Sequence, residues 1–215
     1  QNILPKPLSD LYLGNDTNYQ NFDLNKISNQ FIISQYENPK QIVDKILDGK
    51  IIATCFGRME MGSRALGNRS ILADPRHVRN IEKINKKIKN RDFWMPFAPI
   101  ILDDFQEQLI KNPKKLESPF MTLGFETVGG KEKIPAAVHP YDGTARPEIL
   151  KKETNPLIWT LIKNFYDVTG IPALVNTSFN LHGEPLVNTI SDAFHVFENS
   201  DLDVLWLEKY IIEKI

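Results

Sequence analysis

The stretch FGRMEMGSRALGNRSILADPR, residues 56–76, concentrates glycine and arginine directly after an apolar run. That run, residues 51–56, predicts a buried strand because it is short and continuously apolar. The glycines of the stretch permit positive φ or a close approach of the backbone to a ligand; they are Gly57, Gly62 and Gly67. Its arginines carry planar groups that bind two phosphate or carboxylate oxygens at once; they include Arg58, Arg64 and Arg69. The stretch therefore predicts an anion-binding loop, and the alternative interpretation is a tight turn with solvated arginines.

The composition is typical of a soluble globular protein. The chain has 215 residues, 41% of them hydrophobic, and a formal net charge of −1. A charge so close to zero gives no global field that would attract nucleic acid or an anionic membrane, so an anion site has to be local. The single cysteine, Cys55, cannot form an internal disulfide. Because the sequence shows neither a membrane-length apolar run nor a signal-peptide pattern, we predict a cytoplasmic protein.

The periodicity of apolar residues predicts an α/β (α+β) architecture. Helix-start signals, mostly Asn or Asp before proline, stand at four places, namely residues 38–39, 74–75, 155–156 and 191–192. Apolar runs predict further strands at residues 70–73, 120–125, 172–175 and 203–207. The alternation is too irregular for a doubly wound fold, so we expect a mixed sheet with helices on its faces. Residues 1–40 lack a sustained period and are predicted to be an arm or linker before a domain that spans residues 41–215.

Three polar segments at predicted element ends add further candidate binding residues. Lys89 and Arg91 stand at a helix-to-strand junction, and Arg146 ends the turn DGTAR. Residues 176–180, NTSFN, follow a buried run and offer short side chains that can hydrogen-bond phosphate oxygens. Arg64, Lys89 and Arg146 are expected to converge, because a partly desolvated phosphate needs several cations. The structural alternatives are charges at a helix C-terminus for Lys89 and Arg91, and local backbone hydrogen bonds for the NTSFN turn.

No metal-ligand cluster is visible in the sequence. The four histidines are scattered singly, without an HxxxH or HExxH pair, and only one cysteine is present. Neither a G-x-S-x-G elbow nor a Walker-type phosphate loop occurs, so hydrolase and P-loop interpretations lack support. We therefore predict no structural metal in this chain.

Taken together, FGRMEMGSRALGNRSILADPR, KNRDFWMPFAP, DGTAR and NTSFNLHGEP, in this order and spacing, resemble the C-terminal domain of the O-carbamoyltransferases of nodulation-factor and antibiotic biosynthesis. The resemblance runs from about Leu11 to the last strand. It implies a YrdC-like fold, which is a twisted mixed sheet with flanking helices. It also implies that the domain makes carbamoyl adenylate from carbamoyl phosphate and ATP with Mg²⁺. In that family an N-terminal domain resembling the Kae-type ATPases then transfers the carbamoyl group to an acceptor hydroxyl, and the chain is expected to be a piece that lacks this domain.

The resemblance also assigns roles to residues of this chain. Catalytic roles are implied for Arg64 and Lys89. Contacts with the anion and the nucleotide are implied for Arg64, Lys89, Arg91, Arg146, Asn176, Ser178 and Asn180. Two positions depart from the common pattern: Ser63 stands where many members have proline, and Met95 stands where many have arginine. The second departure removes a positive charge from the expected phosphate pocket.

Two other functions are compatible with the same residues. One is a YrdC-like module that binds RNA or a partner without catalysis, although the low net charge counts against nucleic acid. The other is a purely structural remnant, which would gain no thermal stability from ATP or carbamoyl phosphate. The acceptor substrate is not encoded in any motif of the chain.

Overall fold

The computed structural model of the protein describes residues 8–17, 30–89 and 95–215. Within these residues eight strands form one sheet in the order β1-β8-β7-β2-β3-β6-β4-β5. The strands are β1 (Phe31–Gln35), β2 (Ile52–Thr54), β3 (Ser70–Ala73), β4 (Ala98–Leu102), β5 (Glu148–Leu150), β6 (Ala173–Ser178), β7 (Val204–Leu207) and β8 (Tyr210–Lys214). Two strand pairs, β2/β7 and β4/β5, are parallel, and the other neighbours are antiparallel. The predicted mixed sheet is confirmed.

Five α-helices flank the sheet among the described residues. They are α1 (Pro39–Leu47), α2 (Arg79–Ile84), α3 (Gly130–Lys133), α4 (Pro156–Thr169) and α5 (Ile190–Glu198). A π-helical turn, Asn85–Lys89, continues α2 directly. The predicted starts of α1 and α4 are confirmed, since Asn38 and Asn155 cap them and a proline follows each cap. Gly170 ends α4 with φ of 73°, as its sequence position indicates.

The sheet is covered on both faces, which explains why its strands are continuously apolar. Alternate side chains of a strand point to opposite faces. Ile52, Leu72 and Leu174 therefore pack with α1 and α4 in one core, while their neighbours Ala53 and Ile71 pack with α5 and Ile84 in the other. A sheet buried on both sides has no polar face, so its strands do not show an apolar-polar alternation.

Several predicted elements differ from the observed ones. The predicted strand at residues 120–125 is wrong: it is a loop in which Met121 and Phe125 are buried singly, and Phe125 forms an isolated bridge with Ala145. Strands β5 and β8 were not predicted, and β6 extends through Asn176 to Ser178 instead of ending at Val175. Strand β1 lies within the predicted arm, yet it pairs with β8 along its whole length. The boundary at residue 40 remains a prediction.

No helix in the described parts of the chain is long and apolar enough to cross a membrane.

Gly67 lies where the arginine-bearing loop passes under the start of α4. Its φ is 104°, and a Cβ at this position would lie 2.8 Å from Ile158 Cγ1. Gly62, in the same loop, has φ of 107° but open space around the corresponding Cβ position. Replacing either glycine with alanine would therefore strain the backbone, but only at Gly67 would the new side chain also clash with a neighbour.

We predict that Gly62→Ala lowers the free energy of unfolding by about 1–3 kcal/mol, because it places a side chain in a strained region. Gly67→Ala should lower the free energy of unfolding by about 1–3 kcal/mol more than Gly62→Ala does, because the new methyl group also overpacks the start of α4. Urea unfolding of both variants measures the difference. Equal losses would show that the loop moves away from α4 at no cost.

Candidate anion-binding site

A narrow cleft of about 50 Å³ lies at one end of the sheet. There β6 ends at Ser178 and β4 begins at Ala98, and the register pairs Ala98 with Asn176. The cleft is lined by residues 63–65, 96–98 and 176–178 together with Met121 and Arg146. It opens into an outer pocket of about 550 Å³, whose further lining includes Met95, Gly124, His139, Thr144 and Ala145. Arg64 and Arg146 line both spaces.

Glu60 closes the loop that carries Arg64. Its side chain is fully buried, and its Oε1 accepts hydrogen bonds from the backbone N–H groups of Leu66, Asn68 and Arg69 at 2.7, 2.8 and 3.1 Å. Burial raises the pKa of Glu60, while these three N–H groups oppose the rise. The carboxylate thus fixes the chain on the C-terminal side of Arg64. The sequence analysis missed this role, because no motif separates Glu60 from a solvated glutamate.

The other two arginines of the loop are structural. Arg69 is fully buried, and its guanidinium donates to the carbonyl oxygens of Phe56 and Asn188 at 2.6 and 3.2 Å. Arg58 donates to the carbonyl oxygens of Leu13 and Gly14 at 2.8 and 3.1 Å. The prediction that all three arginines serve an anion is therefore wrong for Arg58 and Arg69, whose donors hold neighbouring backbone.

A second set of buried polar contacts joins the loop to α4. The Asn155 amide donates to Asn68 Oδ1 and to the Tyr12 hydroxyl, both at 3.0 Å. The Tyr12 hydroxyl in turn donates to the Leu66 carbonyl oxygen at 2.5 Å. A loop held from several sides presents Arg64 from a rigid frame, which lowers the entropy lost when a ligand binds.

Arg64 and Arg146 form an unbalanced pair of cations. Neither side chain makes a hydrogen bond or an ion pair with any of the residues in the described ranges, and both are exposed at the mouth of the cleft. Partial burial and the neighbouring Arg64 lower the pKa of Arg146. Two guanidinium groups that repel each other, with no carboxylate partner among the described residues, are an arrangement that a bound anion stabilises.

Asn176 and Ser178 face the cleft from β6. Asn176 is 1% exposed, and its amide nitrogen donates to the Ala65 carbonyl oxygen at 2.7 Å. Met121, which contacts the same amide nitrogen through its sulfur at 3.7 Å, has φ of 55°, a strained value for a residue with a side chain. The Asn176 Oδ1 atom is buried without a hydrogen-bond partner. Of the six residues predicted to share one pocket, Arg64, Arg146, Asn176 and Ser178 line the cleft, whereas Lys89 and Asn180 do not.

Lys89 contacts the end of β6 from the face of the sheet opposite to α4. Its ammonium group is buried and donates to the Ser178 carbonyl and hydroxyl oxygens at 2.5 and 3.2 Å, and to Asn180 Oδ1 at 2.5 Å. Asn180 does not line the cleft; it accepts from Lys89 and donates to the Glu184 carbonyl oxygen. Lys89 and Asn180 therefore position Ser178, and Arg91 lies outside the described residues.

The model of the carbamoyltransferase C-terminus family matches residues 43–214. The chain belongs to that family. It is 36% identical over 212 residues to the nodulation protein NolO of Bradyrhizobium diazoefficiens, covering 96% of this chain and 39% of NolO. It is 34% identical over 145 residues to the 3'-hydroxymethylcephem-O-carbamoyltransferase of Amycolatopsis lactamdurans, covering 67% of this chain and 27% of that enzyme.

Among solved structures, full-length HypF in its phosphate- and nucleotide-bound form is similar in fold. The superposition has a TM-score of 0.55 at 14% identity and covers 82% of this chain and 24% of HypF. At that identity the likeness shows the fold alone. The chain spans roughly a quarter to two fifths of the length of the curated relatives it matches.

This carbamoyltransferase-related domain also buries a second acid. Glu148, the first residue of β5, is 1% exposed, and its Oε2 has no hydrogen-bond partner in the described part of the chain. Burial raises the pKa of Glu148 well above its usual range, and the negative charge of Glu60 raises it further. Glu148 is therefore neutral in conditions where an exposed glutamate is ionised. Within the same ranges no group of three or more His, Cys, Asp or Glu is arranged to hold a metal ion.

We predict that Glu148→Gln stabilises the domain increasingly as the pH rises from 4 to 7. The raised pKa means that the folded state holds a proton that the unfolded state loses above its lower pKa, so the contribution of Glu148 to wild-type stability falls as the pH rises above that lower pKa. The difference in the free energy of unfolding between Glu148→Gln and wild type grows by at most about 1.4 kcal/mol per pH unit. Urea unfolding at several pH values measures it. The exposed Glu198→Gln is the control, and a parallel pH profile for Glu148→Gln and wild type would contradict the assignment.

Proposed function

We propose that the cleft and the outer pocket bind carbamoyl phosphate and ATP, and that the domain forms carbamoyl adenylate. Water first hydrolyses carbamoyl phosphate to carbamate and phosphate; a carbamate oxygen then forms a new bond to the α-phosphorus of ATP, and the bond to pyrophosphate breaks. Both reactants and the leaving group are anions. The observation that carries the proposal is a pair of arginines that have no carboxylate partner within the described ranges and that line the same cleft as Asn176 and Ser178.

The proposed formation of carbamoyl adenylate depends on positioning of the reactants and on charge stabilisation more than on proton transfer. Negative charge builds up on phosphoryl oxygens in the transition state, and preorganised guanidinium groups stabilise it there. The carbamate oxygen is already anionic at neutral pH, so the reaction needs no dedicated base. Mg²⁺ would enter with ATP and keep most of its ligands from phosphate and water.

A neighbouring apolar slot suits the base of the nucleotide. It has a volume of about 480 Å³, shares Met95 and Pro96 with the outer pocket, and is lined mainly by Val, Ile and Pro side chains. Asn85, at the start of the π-helical turn that also carries Lys89, contributes to its wall. The Asn85 Oδ1 atom is buried without a partner among the described residues, so it can accept from an amino group of a base.

The matched relatives are longer than this chain, so the transfer step belongs to the proposal as well. We propose that a separate transferase domain, of the Kae type, receives carbamoyl adenylate and passes the carbamoyl group to an acceptor hydroxyl. A mixed anhydride hydrolyses in water, which favours a closed passage between the two sites.

We predict that Arg64→Ala and Arg146→Ala each weaken the binding of carbamoyl phosphate and of ATP by about 10- to 100-fold, because each removes a charge-assisted hydrogen-bond donor. Isothermal titration calorimetry measures both ligands. Arg58→Ala is the matched control: it is an arginine of the same loop whose donors hold residues 13 and 14, so affinity should stay within about threefold of wild type.

Equal affinities in wild type and the three variants would show that Arg64 and Arg146 do not bind these ligands. If instead the wild type bound neither ligand but bound single-stranded RNA with a steep dependence on salt, the RNA-binding alternative would replace the proposal.

A further inference from the structure

The amide of Asn176 is locked in one orientation. Its nitrogen donates to the Ala65 carbonyl oxygen at 2.7 Å, and a flipped amide would set two acceptor oxygens against each other at that distance. The atom that remains is Oδ1, which is buried and has no donor among the residues that the structure describes. The second hydrogen of the amide nitrogen points to the Met121 sulfur, with an N–S distance of 3.7 Å, so both donors are used and Asn176 offers a ligand only an acceptor.

This orientation contradicts the expectation that Asn176 hydrogen-bonds oxygen atoms of a phosphate or carbamoyl group. Those oxygens are acceptors, and two acceptors do not pair. A buried carbonyl oxygen without a donor destabilises the protein, because the oxygen has lost its hydrogen bonds to water. The ligand atom that belongs beside Asn176 is thus one that carries a hydrogen, such as an amide nitrogen.

The remaining walls of the cleft define the rest of the ligand. Arg64 and Arg146 require negative charge, and the volume of about 50 Å³ admits only a small group beside them. An anion joined closely to a primary amide or carbamoyl group satisfies both demands at once. A methyl group in place of the amine would fill the same space and leave Oδ1 without a donor.

We propose that Asn176 is the specificity-determining residue that recognises the amino group of a carbamoyl ligand and excludes acyl phosphates that carry a methyl group there. This inference rests on the proposed function, since it assumes that the cleft holds the carbamoyl end of the substrate. The Ser178 hydroxyl accepts from Lys89 and donates its one proton to Asn180 Oδ1 at 2.7 Å, so the donors left for the oxygen atoms of the ligand are those of Arg64 and Arg146.

Two stable phosphonates test the proposal. Phosphonoacetamide and 2-oxopropylphosphonate have the same charge and nearly the same shape, and they differ in an NH₂ group against a CH₃ group. Isothermal titration calorimetry of the wild-type chain should give at least about tenfold tighter binding of the amide. Inorganic pyrophosphate, which has no N–H, reports on the anion site alone.

Asn176→Leu should bind both phosphonates alike, within about threefold, because the acceptor is gone. Asn80→Leu is the matched control. Asn80 is also buried and also donates to a backbone carbonyl, that of Asp74 at 2.9 Å, but it lines neither the cleft nor the outer pocket. It should keep the wild-type preference.

Each outcome decides a separate point. If wild type binds pyrophosphate but binds the two phosphonates with equal affinity, Asn176 does not recognise the amino group. The proposed anion site would still be supported in that case. If wild type binds none of the three, the proposed function and this inference both fail. The wild-type comparison needs no variant, so it decides the inference even if Asn176→Leu does not fold.

Discussion

The site depends on one buried carboxylate oxygen. Glu60 Oε1 accepts hydrogen bonds from three backbone N–H groups of the segment that follows Arg64. The buried Arg69 donates to the carbonyl oxygen of Phe56, at the start of the loop. A loop rich in glycine would otherwise sample many conformations, and each would point Arg64 elsewhere. These contacts fix the loop, so that Arg64 lines the same cleft as Arg146. The positive charge of Arg64 lowers the pKa of Arg146, and the proposed anion would offset this repulsion.

The doubly covered sheet makes this frame possible. Its strands place Asn176 and Ser178 at the end of β6, while α4 packs against the loop from one face and the π-helical turn brings Lys89 from the other. The site is thus formed by residues distant in sequence that share one edge of the sheet. Family membership and fold agree on a carbamoyltransferase-related domain, and the proposed anion would bind in the cleft that Arg64 and Arg146 line.

Sequence patterns predicted the parts of this arrangement that depend on local chemistry. The caps of α1 and α4 and the polar residues at the end of β6 were recognised, because capping and strand-end polarity are visible in short segments. Arg64 and Arg69 could not be told apart, since only tertiary packing buries one and exposes the other. Glu60 and Glu148 were missed for the same reason: a buried acid has no sequence signal. Strand β5 was missed because it has only three residues and begins with Glu148.

The central claim is that Arg64 and Arg146 are held together for an anion, and their effect on stability tests it most directly. The free energy of unfolding of wild type and Arg146→Ala should be measured with and without inorganic pyrophosphate. Without it the variant should be at least as stable as wild type, because a repulsion is removed. With pyrophosphate the wild type should gain more stability than the variant, since a ligand stabilises the state it binds. Equal gains for the two proteins, or none for either, would contradict the claim.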